Sequence, residues 1–183
     1  MRILIIAMSR SGGYQLNEWL ALELGYKMIH EPIHNNQSIE GNNIVVKCVV
    51  NEIKNIMDID LLNWDKIIGL TRTDIRECAI SRTKAGQTND VRKWHYPYEV
   101  SSEWIIQNEA EIKKNERWAS SGIDYINKLN EIQLRVTYEG IYNTKEDIQR
   151  IKDYIGITNT KYEHLLDNTN RLRNRSKAKR KVI

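Results

Sequence analysis

The chain has no phenylalanine, two cysteines in 183 residues, and an opening apolar run, Ile3 to Met8, of only six. Five Trp and nine Tyr supply the aromatic bulk that Phe would otherwise give. Cys48 lies in an apolar β-like run and Cys78 in a helical pattern, which excludes a disulfide framework and reads as buried thiols in a reduced compartment. A six-residue apolar run that meets a charged loop at once suits neither a membrane span nor a signal peptide, so a cytoplasmic location is expected. Of the four histidines, only His30 and His34 stand four apart, and Pro32 between them breaks any helical ligand pair. No metal site is expected.

Charge is unevenly spread. The formal net charge is +4, but Arg171 to Ile183 hold seven of the 28 Lys and Arg and no acid, leaving a body of 21 bases and 24 acids, formally −3. A mildly acidic globule with a basic tail argues against a broad nucleic-acid-binding face. No internal repeat or low-complexity linker divides the chain, and its length suits one domain, taken as 1–158, followed by a basic segment, 159–183. By composition that segment reads as a disordered cationic end.

Continuous apolar runs at Arg2–Met8, Lys27–Ile29, Asn43–Val50, Lys66–Thr71 and Gln133–Thr137 read as strands buried on both faces. Helical patterns alternate with them at Tyr14–Leu24, Glu52–Met57, Asp74–Ala85, from Pro97 to about Leu129, and at Lys145–Tyr154, with Gly156 as a stop. The stretch 97–130 reads as one long helix or two broken near Ser120-Ser121-Gly122, its aromatics and aliphatics serving chiefly as core. The alternation predicts a three-layer α/β/α fold with a mainly parallel central sheet. Strand order is not readable from it.

Between the first strand and helix lies Ser9-Arg10-Ser11-Gly12-Gly13-Tyr14-Gln15. Such a turn gathers backbone N–H groups and the positive end of a helix dipole, which suits a phosphate. G-x-x-x-x-G-K-S/T is absent, as are the Lys and the Mg²⁺-holding hydroxyl that end it, so a phosphate-bearing donor held without metal is expected. A second anion site is read after the fourth strand. Arg72 stands at the C-terminal edge of that strand, and Ser81 lies nine residues later, about two turns along the next helix.

Together these segments resemble the sulfotransferase family, whose donor is 3′-phosphoadenosine 5′-phosphosulfate (PAPS). Residues 9–16 are similar to the 5′-phosphosulfate loop, and Arg72 to Ser81 to the 3′-phosphate motif. The continuation Ser81-Arg82-Thr83-Lys84-Ala85-Gly86-Gln87-Thr88, with Trp94 beyond, is nearest to the bacterial trehalose sulfotransferase-like branch, and Leu134 to Ile157 resembles a scaffold segment. The likeness covers residues 2–157, loosely over 87–130. Gly13 and Tyr14 stand where the family usually carries two hydroxyl residues, leaving backbone donors.

The resemblance implies a P-loop fold, a sulfuryl transfer to a hydroxylated acceptor such as a carbohydrate, and donor contacts from Arg10, Ser11, Gly12, Gly13, Tyr14, Gln15, Arg72 and Ser81. The resemblance also implies that the basic segment 159–183 closes over the nucleotide, which makes Arg173 a further candidate for the 3′-phosphate. Arg10 would neutralise charge on the leaving phosphate, and Lys47, interrupting an apolar strand, would lie near the sulfuryl group. The histidine that follows this Lys in some branches is missing. Glu31, expected to be held extended by Pro32, is therefore the leading base, with His34 or His30 in reserve. Acceptor contacts are expected from the 33–42 loop and from Trp94, His95, Tyr96 and Tyr98. No nucleic-acid or membrane partner is expected. The rival readings are a P-loop nucleotide or nucleoside kinase and a non-catalytic nucleotide- or nucleic-acid-binding module of the same fold.

Overall fold

Five strands hydrogen-bond in the order β2-β3-β1-β4-β5, and every pairing is parallel. They are β1 (Arg2–Ala7), β2 (Lys27–His30), β3 (Ile44–Val49), β4 (Lys66–Thr71) and β5 (Leu134–Thr137). The computed structural model describes residues 1–50, 61–87 and 100–167. The helices are α1 (Gly13–Leu24), α2 (Ile75–Gly86), α3 (Ser102–Lys128), α4 (Tyr138–Tyr142) and α5 (Glu146–Ile155). All five expected strands are present, with ends within one residue of those read from sequence. The expected helix Glu52–Met57 lies outside the described residues, as do Trp94, His95, Tyr96, Tyr98 and Arg173.

Alternate residues along each strand supply the two faces, so continuous apolar runs were needed. Ile3, Ile5 and Ala7 of β1 pack with Leu16, Trp19 and Leu20 of α1 and with Ile148 and Ile151 of α5. Leu4, Ile6 and the following Met8 pack on the other face with Cys78 of α2 and Ala119 and Ile126 of α3. Three layers result, with β1 in the middle of the sheet. The chain leaves β1 into α1 on one face and leaves the adjacent β4 into α2 on the opposite face. Where neighbouring strands diverge in this way, parallel sheets take ligands beyond the strands' carboxyl ends, here those of β1 and β4.

Helix α3 runs 27 residues without a break at Ser120-Ser121-Gly122. Ser101 caps its start, accepting from the Trp104 amide at 3.2 Å. Gly122 is there for close approach. A Cβ at that position would lie 2.8 Å from Met8 Cε and closer still to Met8 Sδ, with Met8 itself fully buried at the end of β1. Gly122→Ala should therefore cost about 1–3 kcal/mol by overpacking, read as a lower urea midpoint at unchanged slope. The helix expected at Lys145–Tyr154 is Glu146–Ile155, and Gly156 ends it as expected, with φ 86°. Among the described residues no helix is long and apolar enough to cross a membrane.

Candidate functional site

The turn after β1 is held from inside. The fully buried Ser11 donates its hydroxyl to the Met8 carbonyl at 2.5 Å, and its amide points to the same oxygen at 3.3 Å. Arg10 (φ 69°) and Gly12 (φ 77°) both take left-handed backbone, which folds the loop tightly enough for α1 to start at Gly13. A non-glycine residue at such φ costs on the order of 1–3 kcal/mol, so the strain at Arg10 is held by its surroundings. Gly12 tolerates no side chain: a Cβ there would lie 2.9 Å from Tyr142 Cζ. The Tyr142 hydroxyl donates to the Gly12 carbonyl at 2.7 Å.

Gly13 is fixed by packing as well. A Cβ on it would stand 3.0 Å from Ala7 Cβ and 3.1 Å from Lys47 Cε, so the Lys47 stem runs directly beneath the start of α1. A hydroxyl residue here would displace that stem. Tyr14 meets His30 edge to face, ring centroids 4.9 Å apart, and Gln15 is buried. The first-turn amides of α1 lie outside the i→i−4 ladder and, with the helix dipole, face the loop.

Arg72 follows β4 directly and is mostly buried. Its Nη1 donates to the Arg10 carbonyl at 3.3 Å, and its guanidinium lies 4.5 Å from the centroid of the Tyr138 ring. Glu139 is 3.6 Å and Glu77 3.8 Å from its nitrogens. The Glu139 carboxylate also accepts from the Thr73 amide at 2.9 Å and the Asp74 amide at 3.2 Å. Burial pushes this carboxyl up, but those backbone donors outweigh it and hold it below the usual carboxylate range. Asp74 caps α2 by accepting from the Glu77 amide at 2.8 Å.

Ser81, two turns along α2, accepts from Arg10 Nε at 2.9 Å. Arg10, Arg72 and Ser81 thus form one connected group beyond the carboxyl ends of β1 and β4, by two direct hydrogen bonds. The Cys78 Sγ lies 3.4 Å from the Ser9 carbonyl in the same place. Burial raises its pKa against the charges of Arg72, Arg10 and Arg82, so it stays a neutral thiol and not a nucleophile.

On the other side of the loop, Lys47 of β3, almost wholly buried, is ion-paired through Nζ to Glu31 Oε1. His30 Nε2 lies 3.5 Å from the same oxygen. Glu31 is not extended: its φ is 46°. Its amide continues the ladder to the Lys47 carbonyl at 2.7 Å, and the chain then turns at once, with the Asn35 amide on the Glu31 carbonyl at 2.9 Å and the Asn35 side chain on the His30 carbonyl at 2.6 Å. Those turn bonds override the local preference that Pro32 imposes. His34 is exposed in that turn.

Partial burial does not leave Glu31 with a raised pKa. Burial pushes it up, but the Lys47 ammonium, helped by His30 and His34, holds it below the ordinary value. The pair's contribution to stability is complete above the unfolded-chain carboxylate pKa and is lost as pH falls through the lower folded one. Lys47→Met should raise the Glu31 pKa, because burial persists without its main opponent, and a ¹³C titration of the Glu31 carboxyl would read this directly.

Three residues that sequence reading assigned to scaffold organise this site. Tyr138, Glu139 and Tyr142 of α4 lie under Arg72, on the Thr73–Asp74 amides and on Gly12. Their signal was positional: they directly follow β5 at the carboxyl edge of the sheet. Among the described residues no three His, Cys, Asp or Glu side chains gather as a metal would need. No protein-family model matches the chain, and no curated protein matches it.

Proposed function

We propose that this protein is a PAPS-dependent sulfotransferase that moves a sulfuryl group to a hydroxyl of a small acceptor, with carbohydrates among the candidates. The observation that carries the reading is the Arg10–Ser81 and Arg10–Arg72 connection at the carboxyl ends of β1 and β4. Two guanidinium groups, a hydroxyl and a helix start gathered at one edge of the sheet suit the two phosphate-bearing ends of one donor. PAPS supplies the sulfuryl group.

The chain's own residues do the rest. Arg72 and Ser81 hold the 3′-phosphate, and the first-turn amides of α1 hold the 5′ end. Arg10 stabilises the charge that collects on the 5′-phosphate as its bond to sulfur breaks. Lys47 lies under the loop and offsets charge on the sulfuryl oxygens. Glu31, ionised throughout the neutral range, orients the acceptor hydroxyl and takes its proton as the new oxygen–sulfur bond forms. A cytoplasmic place of action accords with the two free thiols, Cys48 and Cys78.

Calorimetric titration with 3′-phosphoadenosine 5′-phosphate (PAP) tests this. Saturable binding without Mg²⁺, tighter than that of ATP with Mg²⁺, is expected. Tighter ATP–Mg²⁺ binding would instead make the protein a kinase. Absence of binding by either nucleotide, with RNA or DNA affinity lost on truncation at Asn170, would make it a binding module.

A further inference from the structure

Arg82 takes no part in the proposed donor site, yet it is built as carefully as Arg72. Its Nε donates to Asn115 Oδ1 of α3 at 3.0 Å, and its guanidinium lies 3.8 Å from the centroid of the Trp118 ring. Asn115 is buried and donates in turn to Thr83 Oγ1 at 2.9 Å, which donates to the Ala79 carbonyl at 2.9 Å. This chain of bonds fixes the plane of the guanidinium before any ligand arrives.

Arg72 has Glu77 and Glu139, and Arg76 has Glu109 and Glu116, whereas Arg82 forms no ion pair among the described residues. Glu111 acts on it only at longer range and is itself 3.4 Å from Lys114. Burial lowers its pKa from the ordinary guanidinium value, outweighing the opposing effects of Cys78 and Glu111. A partly buried, oriented fork whose outer nitrogens meet no partner among the described residues is a receptor for an oxyanion.

Arg82 is one residue from Ser81, and the charges of Arg10, Arg72 and Arg82 all reach the Cys78 thiol. Successive residues on a helix point about 100° apart, so Ser81 turns to Arg10 while Arg82 turns to α3. The donor's two ends are already matched by Arg10 with α1 and by Arg72 with Ser81. We propose that Arg82 binds an oxyanion on the acceptor, making the acceptor an acidic hydroxylated molecule that bears a carboxylate, phosphate or sulfate group. This rests on the sulfotransferase reading above.

The test is a titration of inorganic sulfate into the PAP-saturated protein, followed by the ¹⁵Nε–H resonance of Arg82. A saturable shift is expected. Sulfate affinity, read calorimetrically, should fall at least about tenfold in Arg82→Gln. PAP affinity in that variant should stay within about twofold of wild type. Asn115→Ala, which keeps the charge and frees the fork, should give an intermediate loss, separating positioning from folding.

An unshifted resonance, or equal sulfate affinity in Arg82→Gln, overturns the proposal. So does a parallel loss of PAP affinity, which would give Arg82 to the nucleotide. If wild type binds no PAP, the sulfotransferase reading fails by itself, and the Arg82 resonance in the nucleotide-free protein still decides whether this fork takes an oxyanion.

Discussion

Glu31→Gln is expected to bind PAP within about twofold of wild type while its turnover falls by roughly 10²–10⁴, the usual span for a lost general base. Turnover is read as PAP release from PAPS with the best acceptor from a panel of sugars, sugar acids and sugar phosphates. The split between binding and rate follows from geometry. Glu31 touches Lys47 and His30, and neither the Arg10–Ser81 nor the Arg10–Arg72 bond involves it. Glutamine keeps an acceptor for the Lys47 ammonium, so the fold should persist with a loss of about 1–2 kcal/mol. Unchanged turnover would remove Glu31 as the base and turn attention to His30 and His34. The acid limb of wild-type activity should lie below the ordinary carboxylate range, because Lys47 outweighs the effect of burial.

The second large effect is on binding. Arg72→Ala should weaken PAP roughly 10- to 150-fold, since one charge-assisted phosphate contact is worth about 1.5–3 kcal/mol. Arg72→Lys should recover only part of this, as an ammonium cannot reach the phosphate, the Arg10 carbonyl and the Tyr138 face together. Arg72→Ala also removes the guanidinium beside Glu139. Glu139 keeps the Thr73 and Asp74 amides, so its carboxylate is not stranded and the protein should remain folded. Equal PAP affinity in wild type and Arg72→Ala would separate the second anion site from the nucleotide and undo the donor assignment.

Much of this fold could be read from one sequence because parallel strands buried on both faces need unbroken apolar runs. Lys66–Thr71 was read to the residue, and the other strands moved by one position at one end or, for β3, at both. Helix continuity was harder. Ser120-Ser121-Gly122 looks like a breaker by composition, yet the helix passes through it, and Gly122 is there because Met8 occupies the space a side chain would need. Glu31 shows the same limit. A residue before proline favours extended backbone, but the Asn35 bonds and the ladder contact to Lys47 set a left-handed one.

The sequence by itself determined the strands, the two polar segments that follow β1 and β4, and the residue types that can grip an anion. Tertiary structure decided which of these meet. Strand order placed β4 beside β1, which brought Arg72 to the Arg10 carbonyl and Ser81 to Arg10 Nε across 62 and 71 residues of chain. It also passed Lys47 beneath Gly13 to Glu31, set Tyr142 against Gly12, and laid Arg82 on Trp118. Local periodicity records which face of an element is buried, whereas long-range pairing is set by packing among elements that carry no local mark of their partners.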